Sequence, residues 1–403
     1  MNRPHGETPS ARAPGEPGLR TAFPYLIGFA AFGLSVSVLG PTLPGLAARA
    51  GVPLSQLGLL FTARAVGGIL GAFGGGAWVD RSGGTRSVAF SLMAAAVVTA
   101  MGPLVPSFAL FLVLWFAQGV ATGAVNAGSN ALLLWSYPKE RVAPYVSVAH
   151  FCFGLGSTLA PLLIVPLLGR TDGILLAYAA AGLVLLPGSA LLWRAPTPHA
   201  PVFKAPLAAE GGPKEVPILL VGIFLLFTIG VEVAFGGWIF SYAQGIGLAT
   251  AAVAAYLNAA MWGSYTVARL LSVPLAMRYA PQRLLGLAMF GGTASLGLLS
   301  LLPGSSPALW VGTIGFGFSV ALVFPNTFTL AGRHASLTGR RTALLFAFGG
   351  VGGMALPALL GGLYGAVGPQ ATMPALLAAF ALGAAVFVLM ARRTGAGVAA
   401  RSG

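Results

Sequence analysis

The chain has 403 residues, 57% of them hydrophobic and only 7% charged, with a mean hydropathy of +0.87. A composition this apolar excludes a soluble domain and requires a polytopic helical membrane protein, in which 58 glycines and 29 prolines are tolerated because neighbouring helices re-satisfy freed backbone groups. The formal charge of +14 would point to nucleic acid in a soluble protein, but here its position along the chain decides its meaning.

Residues 1–20 are polar and rich in Pro, Gly and Arg. The span after them is longer than a signal-peptide core and has no clear small-residue cleavage site, so it is expected to remain as the first helix. Stretches apolar and long enough to cross about 30 Å of hydrocarbon fall near residues 22–47, 55–79, 87–104, 107–134, 142–168, 173–193, 217–245, 250–277, 284–303, 307–331, 342–367 and 371–391, twelve in all. An even count puts both termini on one face. That face also receives 18 of the 22 basic residues; Arg49 and Arg170 lie opposite, and Arg64 and Arg269 lie within spans. By the positive-inside rule the termini are cytoplasmic, in a plasma or inner membrane. The charge is a topology signal, and no nucleic-acid partner is expected.

The long polar break after residue 20 is Arg194 to Val216, with six spans on either side. The expected organisation is therefore a tail (1–20), a six-helix bundle (21–194), a cytoplasmic linker (195–215), a second six-helix bundle (216–393) and a tail (394–403). Two bundles related by an axis along the membrane normal place a substrate site between them near the midplane. Cys152 is the only cysteine, so no intramolecular disulfide forms.

Polar residues inside the spans are the candidate site, taken in chain order. Arg64 shares a face with Phe61, Gly68 and Gly71; its charge needs carbonyls, a substrate oxygen or Glu232 as partner. Gln118, Thr122, Asn126 and Asn130 recur every four residues as one stripe of the fourth span. His150 lies about eight residues into the fifth span; it serves as an interhelical hydrogen-bonding group or, given the ordinary range of an imidazole, as a titrating one. Glu232 is the only one of eight acidic residues in the middle of a long apolar run, roughly 22 Å along its helix and so near the midplane. A carboxyl there is either a proton carrier or held ionised by a cation, and Arg269 is placed to approach it in one conformation. Trp238 and Trp262 offer ring faces for sugar C–H groups, although Trp238 also suits an interfacial anchor. Asn258, Trp262, Tyr265 and Arg269 form a single face of the eighth span. Such stripes avoid lipid, as interhelical glue or as a cavity lining.

The loop after the second span reads Gly76-Ala77-Trp78-Val79-Asp80-Arg81-Ser82-Gly83-Gly84-Thr85-Arg86. It resembles the G-x-x-x-D-R-x-G-x-x-R signature of the major facilitator superfamily, and this resemblance implies twelve transmembrane helices in two bundles, an all-α fold. It also implies that Gly76, Asp80, Arg81, Gly83 and Arg86 form a conformational latch with the start of the eleventh helix, where Arg340 and Arg341 stand. Gly76 is expected at a close helix approach, and Gly83 and Gly84 at a turn with positive φ. Within the superfamily, Gly230-Val231-Glu232 with Gly236-Gly237-Trp238, His150-Phe151-Cys152-Phe153-Gly154, Ala268-Arg269 and Phe324-Pro325-Asn326 resemble segments of the fucose:proton symporters and related glucose and galactose carriers. The fourth helix of that group commonly carries an acid in a G-x-x-D-x-G-x-N pattern. Asn126 stands at that position here and carries no proton, which leaves Glu232, with His150, as the coupling candidates.

The expectation is a monomeric secondary transporter working by alternating access, moving a hexose-like sugar inward with a proton, with sodium as the other candidate ion. Its substrate residues are Arg64, Gln118, Asn126, Asn130, Glu232, Trp238, Asn258, Trp262, Tyr265, Arg269 and Asn326. The alternatives are a proton-coupled exporter of amphipathic or drug-like molecules and an uncoupled facilitator. No nucleophile–base pair, metal cluster or phosphate-cradling loop is visible, so an enzyme, an ATP-driven pump, a metal and a cofactor are not expected.

Overall fold

A computed structural model describes residues 19–82, 84–105, 107–137, 142–198, 218–334 and 339–399. In order the helices are α1 (Leu19–Ser37), α2 (Leu39–Ala50), α3 (Gly58–Ser82), α4 (Thr85–Met101), α5 (Phe108–Ser136), α6 (Val142–Ile164) and α7 (Gly173–Arg194). The second half continues with α8 (Ile218–Gly245), α9 (Ala251–Arg278), α10 (Pro281–Leu301), α11 (Ser306–Ala321), α12 (Val323–His334), α13 (Gly339–Val367) and α14 (Thr372–Ala399). Ten spans are long and apolar enough to cross a membrane, and the bent pair α1–α2 makes eleven. Helix α9, at 28 residues, has the length of a span but carries the polar stripe, which keeps it below that apolar threshold. The fold is an all-α membrane protein, and each half has its own apolar core, one built on α1–α7 and one on α8–α14.

Two spans are broken, and proline accounts for both breaks. Helix α1 meets α2 at 43°, and Pro41 lacks the N–H that would reach the Ser37 carbonyl while its ring crowds it. Helix α11 ends at Ala321, four residues before Pro325, and α12 resumes at Val323. Each break frees carbonyls inside the membrane, where an unpaired one is costly.

Backbones approach closely along glycine seams. A Cβ at Gly67 or Gly71 of α3 would collide with the Phe116 or Val120 carbonyl of α5, and one at Gly119 or Gly123 with the Arg64 or Gly68 carbonyl of α3. This reciprocal small-residue face is how two helices pack when lipid offers no hydrophobic drive. It consists of Gly67, Gly71 and Gly75 more than the Gly68 and Gly71 pairing expected from sequence. Gly76, in contrast, has open space around it, so the close approach expected there is not present. Gly84 does adopt a positive φ of 36°.

The halves meet on the face opposite the chain ends, called here the far face. A Cβ on Gly40 of α2 would lie 2.8 Å from the Gly236 carbonyl oxygen and 3.1 Å from that of Gly237, both in α8. Gly58 of α3 stands equally tight on Pro357 and Ala358 of α13, and Thr62 Oγ1 donates to the Met354 carbonyl at 3.0 Å. Helices α6 and α9 meet where a Cβ on Gly154 would strike Thr266.

Candidate functional site

The predicted polar residues separate into three groups. The first holds the break in the first span. Leaving α1, the Ser35 carbonyl accepts from Gln118 Nε2 at 3.4 Å, and the Val36 carbonyl accepts from Arg64 Nη1 at 2.9 Å. A cation at a helix C-terminus also meets the negative end of its dipole, so Arg64 is positioned at a carbonyl that the end of α1 leaves free. Tyr178 of α7 lies beside it and pairs with Thr42 Oγ1 at 2.8 Å. Gln118, Thr99, Ser35 and Tyr178 help to line a cavity of about 10 Å³, a volume that fits one water. At the second break Asn326 is buried, and its Nδ2 bonds back within the same segment to the Leu322 carbonyl at 2.7 Å.

The second group closes the far face. Trp238 is fully buried, donates Nε1 to the Pro357 carbonyl at 3.1 Å and packs 5.4 Å from the Tyr364 ring. It faces neither a cavity nor lipid headgroups. Asn258 is also fully buried and donates Nδ2 to the Gly236 carbonyl at 2.6 Å, the same carbonyl that meets Gly40. The Trp262 indole lies against Gly236 one turn further along α9 and packs edge-on to Phe153 of α6 at 6.3 Å. Its Nε1 and the Asn258 Oδ1 are buried with no hydrogen-bond partner. The upper part of the α9 stripe is therefore the far-face closure.

The third group lies one to two turns further along α9. Arg269 Nη2 donates to the Tyr265 hydroxyl at 2.6 Å, and the Glu232 carboxyl of α8 faces the same hydroxyl within electrostatic reach of the guanidinium. The tyrosine thus stands between acid and base, and no Glu232–Arg269 ion pair within 4 Å forms among the described residues. The guanidinium sits over two aromatic faces, with Cζ 5.0 Å from the Tyr265 ring and 5.9 Å from that of Phe324 in α12. From the opposite half, His150 of α6 lies within electrostatic reach of Arg269 and packs 5.7 Å from the Phe29 ring. Helices α6, α8 and α9 so bring one imidazole, one carboxyl, one phenol and one guanidinium together at the seam between halves. Phe324, which sequence reasoning did not single out, completes the cluster; its signal was the Phe-Pro-Asn run at the α11–α12 break. Asn126 and Asn130 of α5 are part-buried and bonded to one another, Asn130 Nδ2 to Asn126 Oδ1 at 3.0 Å, apart from this cluster's described contacts.

Of the latch residues, Arg81 and Arg86 are exposed and Arg341 is part-buried. Gly83 and the side chains of Asp80 and Arg340 lie outside the described residues. The Gly84–Thr85 turn is tied to the chain beyond α7, where Thr85 Oγ1 donates to the Ala195 carbonyl at 3.0 Å and pairs with Thr197 Oγ1 at 2.8 Å. Among the described residues no group of three His, Cys, Asp or Glu side chains is placed to hold a metal.

Comparison with known proteins adds family and fold. The profile of the Major Facilitator Superfamily matches residues 25–357. The chain is 28% identical over 376 residues to mouse sodium-dependent glucose transporter 1A, spanning 84% of this chain and 88% of that protein. It is 27% identical over 376 residues to human sodium-dependent glucose transporter 1, spanning 84% and 72% respectively. Among solved structures, a bacterial homologue of the lysosomal transporter Spinster, inward-facing and unoccupied, superimposes with a TM-score of 0.78 at 15% identity, covering 93% of this chain and 97% of that one. A D-xylose–proton symporter gives 0.72 at 15% identity, covering 92% and 96%. At such identities the structural likeness speaks for the fold alone.

Proposed function

The chain belongs to the major facilitator superfamily, and we propose that it takes up a hexose-like sugar together with a proton, by alternating access between its two halves. As a member of that superfamily it is a membrane transporter and not an enzyme. The observation that carries the coupled reading is the Glu232–Tyr265–Arg269 bridge at the seam, faced by His150 from the other half. A carboxyl that leans on an arginine only through a hydroxyl is free to lose or gain a proton without breaking a direct ion pair. Rocking of the 21–194 bundle against the 216–393 bundle would alter the distance from His150 to that bridge, and so the cost of charge on it. The relatives named as glucose transporters support a sugar substrate.

In this reading both termini are cytoplasmic, the far face is extracytoplasmic, and the state described is closed outward. The membrane is the plasma or inner membrane. Asp80, Arg81 and Arg86 latch to Arg340 and Arg341 when the halves close on the other side. The same relatives are named sodium-dependent, which favours sodium as the second reading for the coupled ion. Purified protein in proteoliposomes decides between them: tracer hexose should accumulate when the outside is made acidic in sodium-free buffer. Accumulation that needs a sodium gradient and ignores the pH step would transfer coupling to sodium. Extrusion of a lipophilic cation with no hexose uptake would replace the reading by export.

A further inference from the structure

The charges inside the spans do not balance for a neutral sugar. Two guanidiniums, Arg64 and Arg269, face one carboxyl, Glu232, among the described residues. Arg64 is committed to the carbonyl at the first break. Arg269 is held differently: a hydroxyl takes one nitrogen, two aromatic faces take its plane, and its Nε is buried with no hydrogen-bond partner. These contacts fix a guanidinium in place without cancelling its charge. The charged and titratable groups that face it are Glu232, Tyr265 and His150.

The two states that must cross the membrane can be compared by their net charge. Empty, with Glu232 ionised and Arg269 charged, the bridge sums to zero. Loaded with a proton and a neutral hexose, Glu232 is neutral and Arg269 is left as a cation with no anion beside it, an unfavourable state inside a membrane span. A substrate carboxylate removes that cost. We propose that the substrate is a sugar monocarboxylate, its anionic group received by Arg269 as Glu232 takes the proton. Guanidinium and carboxylate then meet as a forked, charge-assisted pair, with the free Nε available to it. One proton and one anion enter together, no bond in the substrate is made or broken, and the charge of the Glu232–Arg269 site sums to zero in both travelling states. This inference rests on the proposed proton–sugar symport and refines its substrate.

The test uses reconstituted wild-type protein with tracer D-glucuronate and tracer D-glucose. Glucuronate should accumulate under an inward pH gradient with the membrane potential clamped to zero, and a potential alone should not drive it. Unlabelled glucose should compete at least tenfold more weakly than unlabelled glucuronate. Arg269→Gln should abolish that preference, and Arg269→Lys should retain part of it; monodispersity and thermal unfolding show whether each variant folds, and the wild-type competition stands without them. Glucose uptake equal to or greater than that of glucuronate and driven by potential alone would overturn the acidic substrate while leaving proton–sugar symport intact. Uptake of neither overturns both.

Discussion

Gly40→Ala is the sharpest perturbation of the far-face closure. The added Cβ would lie 2.8 Å from the Gly236 oxygen, 3.1 Å from the Gly237 oxygen and 3.3 Å from the Gly237 Cα. All three are main-chain atoms, so no side chain can rotate away. Reaching ordinary contact requires the halves to part by about half an ångström here, and a gap of that size forfeits about a quarter to a half of each contact it opens. Overpacking of this kind costs about 1–3 kcal/mol, which is about 5- to 150-fold in the balance between states. The strain exists only when the far face is closed, so the variant should favour the state open on that face. Spin labels at Ala48→Cys and Gln244→Cys, in a Cys152→Ala background, report the separation directly. A new longer distance should dominate in Gly40→Ala, while Gly74→Ala, at an exposed position whose added methyl meets nothing, should leave the distribution unchanged. An unaltered distribution in Gly40→Ala would refute the assignment of this contact to the closure.

Two further substitutions separate structural polar groups from the site. Trp238→Phe keeps an aromatic ring but loses the bond to the Pro357 carbonyl, and should cost about 0.5–1.5 kcal/mol of stability, seen as a lower Tm, with the apparent KM for substrate unchanged. A large rise in KM would return Trp238 to the substrate site. Asn326→Leu removes the side-chain donor to the Leu322 carbonyl at the second break and should cost about 0.5–1.5 kcal/mol; a Tm equal to wild type would show that this bond contributes nothing to the break.

The architecture was legible in the sequence because hydrocarbon imposes one rule on every span. Even α9 declared itself, since Asn258, Trp262, Tyr265 and Arg269 share a face that no lipid-facing helix would tolerate. Periodicity placed these residues on one face, but it could not say that the upper two close the far face while the lower two meet Glu232. That division depends on where α2 and α8 touch. Arg64, Gln118 and Asn326 looked like cavity residues because their partners are carbonyls, which a one-letter sequence does not display. Pro41 and Pro325 were the available signals, since each marks a break beside which these carbonyls lie. Trp238 looked like a ligand-facing ring or an interfacial anchor because the sequence does not show that Gly361 of α13 makes room for the indole, whose N–H finds a proline's carbonyl. The expected approach of Glu232 and Arg269 was recognised as a pair, whereas the phenol between them required the geometry of two helices.

In the proposed cycle Glu232 carries the coupling proton, a role that Glu232→Gln in proteoliposomes puts to the test. The amide keeps the shape beside Tyr265 but cannot ionise. Concentrative uptake driven by a pH gradient should be lost, while counterflow exchange of substrate across the same membranes, which needs no net proton movement, should persist. Retained pH-driven accumulation in that variant would contradict the account.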